Sequence, residues 1–512
     1  MSRDTTHTGA ALTPIHGTRA ARRNAVRATI ALIAAALANA APGSSTNAHA
    51  AGWRQHIVPL ASERVRAEFV NWYGGTADAP GVDTYTFFAS QLRVGARATY
   101  PRVQALVEFQ NTRLAGLPND ASLPAPRGNL GPGAVYYAHT RESDQGETFL
   151  RQAFVAARWK GVQAALGRFE YADGLETTPG DPTLVWLKRA RIAERLVGPY
   201  GYTHVGRVFD GARLSADRRA FNISAIAARP TAGGFEVSAG PQLGDVDLAG
   251  VSLTAKRLDV ARPADMRVAY FFYEDRRGAD GTPVRVDNRP AAVRAEDRGA
   301  IRIHTLAGHA IAAADIGAGR GDALAWFAHQ SGDWGSQSHR AWSVALEAGY
   351  QLPRVAGTPW FRGGANVASG DANALDDEHR TFVPLLPTPR IYAQLPFYNG
   401  MNIRDLFAHV IVRPHSMITV RADFHELRLR EENDLWYSGG GATSERIFGY
   451  AGIAAVRGTD LANVAEISVT ASPHRRVTLY AFYAYASGGE VMRSVFADAD
   501  IRYGYFETTL RY

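Results

Sequence analysis

Long stretches in which apolar and polar residues alternate one by one constrain this chain more than any other feature. Successive side chains of a β-strand point to opposite faces, so a period of two marks a strand with a different environment on each side. Leu92, Val94, Ala96 and Ala98 share one face, and Gln91, Arg93, Arg97 and Thr99 share the other. The chain then turns at Pro101-Arg102. It returns with Val103, Ala105, Val107 and Phe109 on one face and Gln104, Glu108 and Gln110 opposite. The pattern recurs late in the chain. Ile418, Val420, Ala422 and Phe424 alternate with Thr419, Arg421, Asp423 and His425. Ala465, Ile467 and Val469 alternate with Glu466, Ser468 and Thr470, and Val477, Leu479, Ala481, Tyr483 and Tyr485 form one face of the next strand.

A soluble sandwich would bury the apolar face. A membrane barrel turns that face to lipid and lines its lumen with the polar one. Three features favour the barrel. The alternating runs reach roughly ten residues, the length a tilted membrane strand needs, whereas strands of soluble sheets centre near five or six. Tight turns at Pro101-Arg102, Lys160-Gly161, Pro414-His415 and Pro473-His474 are interleaved with long polar loops near 115–146, 172–205, 276–300, 369–405 and 429–460. The chain also ends in an amphipathic strand, with Phe506, Thr508, Leu510 and Tyr512 on one face and Glu507, Thr509 and Arg511 on the other. The expected fold is an all-β transmembrane antiparallel β-barrel with long extracellular loops and short periplasmic turns. About 19 candidate strands are visible, and single-chain bacterial barrels use an even number. The alternation of turn lengths breaks between 230 and 275, so one candidate is removed there. That leaves 18 strands, with 16 as the second count.

Composition limits the alternatives. Hydrophobic residues make up 46% of 512, yet the mean hydropathy is slightly negative. A bundle of membrane helices would need repeated apolar runs of about 20 residues. There is no cysteine, which removes disulfides, thiolate metal sites and a cysteine nucleophile. The formal charge is +7. Much of that excess lies before residue 51, where Arg3, Arg19, Arg22, Arg23 and Arg27 face only Asp4. A nucleic-acid partner is therefore not expected. Arginines followed by the apolar stretch Ala28–Ala41 and by Ala48-His49-Ala50 make a secretion signal, with cleavage expected after Ala50 and Ala38-Asn39-Ala40 as the weaker site. The expected organisation is a signal at 1–50, a short periplasmic segment at 51–60 and the barrel at 61–512, in the bacterial outer membrane.

Several segments carry a resemblance. Ala368-Ser369-Gly370-Asp371, Thr381-Phe382, Leu386-Pro387-Thr388-Pro389 and Asn402-Ile403-Arg404-Asp405-Leu406 follow one another in that order. With Arg207 to Leu214, Asp423-Phe424-His425, Asp434 to Tyr437 and the end from Glu466 to Tyr512, they resemble the alginate export porin family. The resemblance covers roughly residues 61–512. It implies an 18-stranded outer-membrane barrel with an arginine-rich pore for an anionic polysaccharide. Segments 115–146 and 276–300 have no clear counterpart. C-terminal Tyr512 resembles the signal read by the barrel assembly machinery. Outer-membrane lipid and lipopolysaccharide are the expected surroundings.

A conducting pore needs charge opposite to its solute, and the planar guanidinium fork suits carboxylates. Arg93, Arg97 and Arg421 have lumen parity. Arg207 and Arg213 are added by the segment that resembles the family, and Arg168 depends on a bulge at Gly167. Glu108, Asp210, Asp423 and Glu466 space or balance these charges. For every one of them the competing role is an arginine–carboxylate ladder that only joins neighbouring strands. The acidic run Ser369–Glu378 offers oxygens but misses the calcium-loop spacing. Tyr480, Phe482, Tyr483 and Tyr485 are expected as girdle and packing residues ahead of a sugar-stacking track. No nucleophile elbow, zinc-protease motif or phosphate loop is present, so no catalytic residue and no cofactor are expected. A general or uptake porin for small organic acids or aromatics is the alternative, and an outer-membrane barrel enzyme is the remote one.

Overall fold

The structure, a computed structural model, describes residues 56–74, 83–125, 127–257, 263–391 and 393–512. The expected signal at 1–50 lies outside the described residues. Eighteen long strands run antiparallel to their neighbours around one closed sheet. They are β1 (Ile57–Asn71), β2 (Thr84–Thr99), β3 (Val103–Ala115), β4 (Gln145–Trp159), β5 (Val162–Phe169) and β6 (Phe209–Asp217). Next come β7 (Phe221–Pro230), β8 (Val246–Arg257), β9 (Ala264–Asp275), β10 (Ile301–Ile316), β11 (Gly319–Trp334) and β12 (Gln337–Gln351). The wall is completed by β13 (Trp360–Ala368), β14 (Ile403–His415), β15 (Ile418–Leu429), β16 (Asp460–His474), β17 (Val477–Gly488) and β18 (Ile501–Arg511). β18 pairs back onto β1, from Ser62 opposite Arg511 to Asn71 opposite Arg502, which closes the barrel and removes its edges. Glu378–His379 adds a two-residue parallel pairing on β12 and is not part of the wall.

Strand parity follows the sequence. Leu166 (70% exposed), Phe506 (65%), Leu346 (59%) and Phe424 (51%) all point outward. Their neighbours on the other parity are polar and largely buried in the lumen, among them Gln110, Thr112, Glu347, Asp405 and Glu466. This inversion of a soluble protein is what a lipid-facing sheet requires. Exposed Trp159, Tyr100 and Tyr512 gather at the end that carries the short turns.

The long loops fall as expected, between β3 and β4, β5 and β6, β9 and β10, β13 and β14, and β15 and β16. Two details differ. The turns expected at Pro414-His415 and Pro473-His474 sit two residues later, because each strand continues through a register shift at its proline and ends on a histidine. His415 and His474 then accept the backbone N–H of Met417 and Arg476. Nor does the alternation break between 230 and 275. That stretch holds the end of β7, a long loop at 231–245 and the regular pair β8 and β9. The exception is Gly335-Ser336, a tight turn at the long-loop end. Gly335 has φ +65° there, and a Cβ would strike the Asp297 carboxylate. That carboxylate accepts the N–H and O–H of Ser336 and a guanidinium N–H of Arg289, so loop 276–300 folds over the short turn and covers it.

Candidate pore

The lumen is filled from the wall inward, and the loop from Glu170 to Val208 supplies most of the filling. Asp181 caps a short helix, α1 (Pro182–Leu187), by accepting the N–H groups of Thr183 and Leu184, with Pro182 in the first turn where no N–H is needed. The helix runs on as a wider turn over Lys188–Ile192. Its cations meet carboxylates on the wall. Lys188 pairs with Asp265 of β9 at 3.0 Å, and Arg191 and Arg195 with Glu347 of β12 at 2.9 and 3.2 Å. The traffic also runs the other way, since Arg267 of β9 holds Asp173 and Glu176 of the loop, each at 2.7 Å. The far end of the loop is gripped through its backbone: the His204 carbonyl accepts Gln91, Gln110 and Thr112, each at 2.9 Å. Buried pairs of this kind hold only while both partners remain.

A second loop enters beside it. The Leu386 N–H donates to the Leu196 carbonyl, the Leu386 carbonyl accepts the Gly198 N–H, and the N–H groups of Gln394 and Leu395 donate to Glu466 on β16. What the two loops leave open is a cavity of about 490 Å³ towards the short-turn end. Arg66, Arg189, Arg390 and Arg421 line it, against Glu194 and Glu507, together with Trp186, Tyr202, Tyr480 and Tyr505. Arg66 is committed to Glu507 and Glu68, at 2.7 and 3.2 Å. Arg390 has no carboxylate partner among the described residues. One N–H reaches the Tyr505 hydroxyl at 3.2 Å, its carbon lies 5.2 to 5.4 Å from the rings of Tyr202, Phe482 and Tyr505, and Nε and Nη2 find no protein acceptor. Burial pushes the Glu194 carboxyl above its ordinary range. Glu170 is also penalised by burial, but Arg151 and Arg93 outweigh that and hold it at about 2.

The residues expected at the pore divide into three groups. Arg421 lines the cavity, its guanidinium held by Asp423 at 2.5 and 2.8 Å, and Asp423 itself is buried behind it. Arg93, Arg97, Arg213 and Glu108 lie on lumen parity without reaching that cavity. Arg93 binds Gln110 and Glu170, Glu108 accepts Gln152, Arg213 lies over the rings of Phe154 and Phe169, and Arg97 is exposed near the short-turn end. Arg207 and Asp210 are corrections. Arg207 is fully buried under the loops, where it donates to the carbonyls of Pro387, Gly440 and Ala442, and burial lowers its pKa to about 10. Asp210 shares the parity of exposed Leu214 and so faces outward, as does Arg168, its partner at 2.6 Å. They begin a ladder on the outer surface that continues through Arg229–Asp247, Asp247–Arg276 and Arg302–Glu274 at 2.7 to 2.8 Å. Asp210→Ala is therefore expected to leave single-channel conductance and ion selectivity as in the unmodified protein. A changed reversal potential would put Asp210 back in the pore.

Arg66 was legible, because Arg64, Arg66 and Glu68 alternate with Val65, Ala67 and Phe69. Arg189 and Arg390 sit on irregular segments where parity says nothing. The carboxylates of Ser369–Glu378 serve the loop itself, Asp376 and Glu378 pairing with Arg380 at 2.9 and 2.5 Å and Asp371 accepting the Asn373 N–H. Tyr480 lines the cavity, whereas Tyr483 faces outward.

Comparison with known proteins agrees with this architecture. OccAB2 of Acinetobacter baumannii superposes with a TM-score of 0.54 at 8% identity, covering 89% of this chain and 98% of that one. A BenF-like porin of Pseudomonas fluorescens Pf-5 gives 0.54 at 8% over 90% and 100%, and the outer membrane protein opdK of Pseudomonas aeruginosa 0.51 at 8% over 89% and 99%. At such identities the likeness concerns the fold alone. No curated protein sequence matches the chain. The sequence model for alginate export matches residues 63–506, nearly the whole described barrel. The chain belongs to the alginate export family of outer-membrane β-barrels.

Proposed function

We infer that this barrel is a passive outer-membrane channel for carboxylated anions. The observation that carries the reading is the charge of the lumen cavity, where four arginines, Arg66, Arg189, Arg390 and Arg421, face two carboxylates, Glu194 and Glu507, among the described lining residues. A carboxylate satisfies a guanidinium fork with two parallel bonds, and within the low-dielectric wall that attraction exceeds its value in water. An acidic polysaccharide, the cargo after which the family is named, and a small organic acid both present this group.

The test is single-channel recording in a salt gradient. A reversal potential on the anion side, with block by oligouronate or by small organic acids, is the expected outcome, and the two blockers separate polymer from small solute. Cation selectivity overturns the reading.

A further inference from the structure

A second cavity, of about 370 Å³, lies on the long-loop side of the first. Trp72, Tyr73, Tyr202, Phe235, Phe397 and Tyr450 line it. Phe235 meets Tyr202 edge-on at 6.1 Å between ring centres, and Tyr200 stands 5.3 Å from Tyr202. Tyr202 lines both cavities and so forms their shared wall. Arg390 lies over that same ring from the other side of the junction. Arg127 lines the aromatic cavity directly, and its Nη1 has no acceptor among the described residues. Among the described residues that line this cavity there is no carboxylate, and Asn129 is the one side-chain amide.

We propose that the aromatic cavity binds an aromatic carboxylate, its ring among Tyr202, Phe235 and their neighbours and its charge on the guanidinium of Arg127, which lines the cavity. The proposal rests on the anion-channel reading and names the solute class for it. A uronic acid carries a carboxylate too, but also several hydroxyls. Each hydroxyl that leaves water without a new partner costs free energy, and the rings and apolar side chains of this lining outnumber Asn129, His139, Ser438 and Thr443. A planar ring has no such debt. It gains edge-to-face and offset contacts with the aromatic walls, while the guanidinium supplies charge-assisted bonds to the carboxylate. The volume is that of an ordinary small-molecule site, enough for a compact ring compound.

The experiment uses the full channel purified from outer membranes and reconstituted in a planar bilayer. Benzoate and glucuronate, each a monoanion at neutral pH, are the probes, added in separate runs. Benzoate is expected to half-block the current at a concentration about tenfold below that of glucuronate, as contacts with several rings would give. Phe235→Ala is expected to bring the two concentrations together. Should that variant fail to insert, Phe235→Leu keeps bulk without the ring and carries the same expectation. Equal block by both anions in the unmodified channel overturns the proposal, as does a benzoate preference that survives loss of the Phe235 ring. The reversal potential of the same channel reports the parent reading separately. Anion selectivity with equal block removes only the aromatic site, and absent anion selectivity removes both.

Discussion

Arg390→Glu is expected to abolish the anion preference of the channel. A unit charge about 4 Å from another contributes about 1 kcal/mol in bulk water and about 4 kcal/mol near a protein surface. Reversing the sign changes that contribution twice over, so even the water value amounts to about 2 kcal/mol. A difference of that size lowers anion occupancy by roughly thirtyfold. The ratio of anion to cation permeability, read from the reversal potential, should fall by at least about tenfold, allowing for screening by salt. Arg421→Glu, the same change of charge, is the internal comparison. Its guanidinium is already held by Asp423, so its removal should shift the potential less. Equal effects at the two positions, or none at Arg390, would mean that the unsatisfied N–H groups do not set selectivity.

Glu347→Ala is expected to free the lumen loop. That carboxylate is shared by Arg191 and Arg195 of the loop and Arg362 of β13, all buried. Removing it leaves three guanidiniums without their common partner. Breaking a single buried pair from one side costs about 3–5 kcal/mol. The cost falls on the loop's attachment, because the wall strands keep their backbone ladder. The predicted signs are larger and noisier single-channel conductance and proteolytic cleavage between residues 170 and 208 in a barrel that stays folded. Unchanged conductance together with an intact loop would show that the remaining anchors, Lys188–Asp265 and Arg267 with Asp173 and Glu176, hold it alone.

The wall was readable because its physics is local. A strand between lipid and lumen must alternate, and Leu92 to Phe109 and Ile418 to Val469 do so without exception at the positions named. Parity also put Arg93, Arg97 and Arg421 on the face of their lumen-side neighbours. It did not foresee that Asp210 and Arg168, the latter left open at Gly167, join an outer charged ladder on strands whose outer face is otherwise apolar. It was silent on Arg189, Arg390 and Tyr202. These reach the lumen on irregular chain, placed by ion pairs with residues far away in sequence, such as Arg191 with Glu347. No short-range pattern encodes a partnership of that kind. Gly335-Ser336 escaped for a related reason, since the loop that covers the turn is contributed by Arg289 and Asp297.

The wall is also uneven in height, and the surrounding lipid must answer to that. β5, β6 and β7 have 8, 9 and 10 residues, whereas β10, β11 and β12 have 16, 16 and 15. At about 3.3 Å per residue and a tilt near 40°, the shortest strand rises only about 20 Å along the bilayer normal. The hydrocarbon core of a typical bilayer is about 30 Å thick. The outward charges of Arg168, Asp210, Arg229 and Asp247 stand at the top of this low sector, so the acyl chains cannot simply climb past it. Lipid against β5 to β7 is therefore expected to thin more than lipid against β10 to β12. The protein therefore presents lipid with a rim of uneven height, low at β5 to β7 and again at nine-residue β13, and a neighbouring molecule meets a different membrane depending on the side from which it approaches.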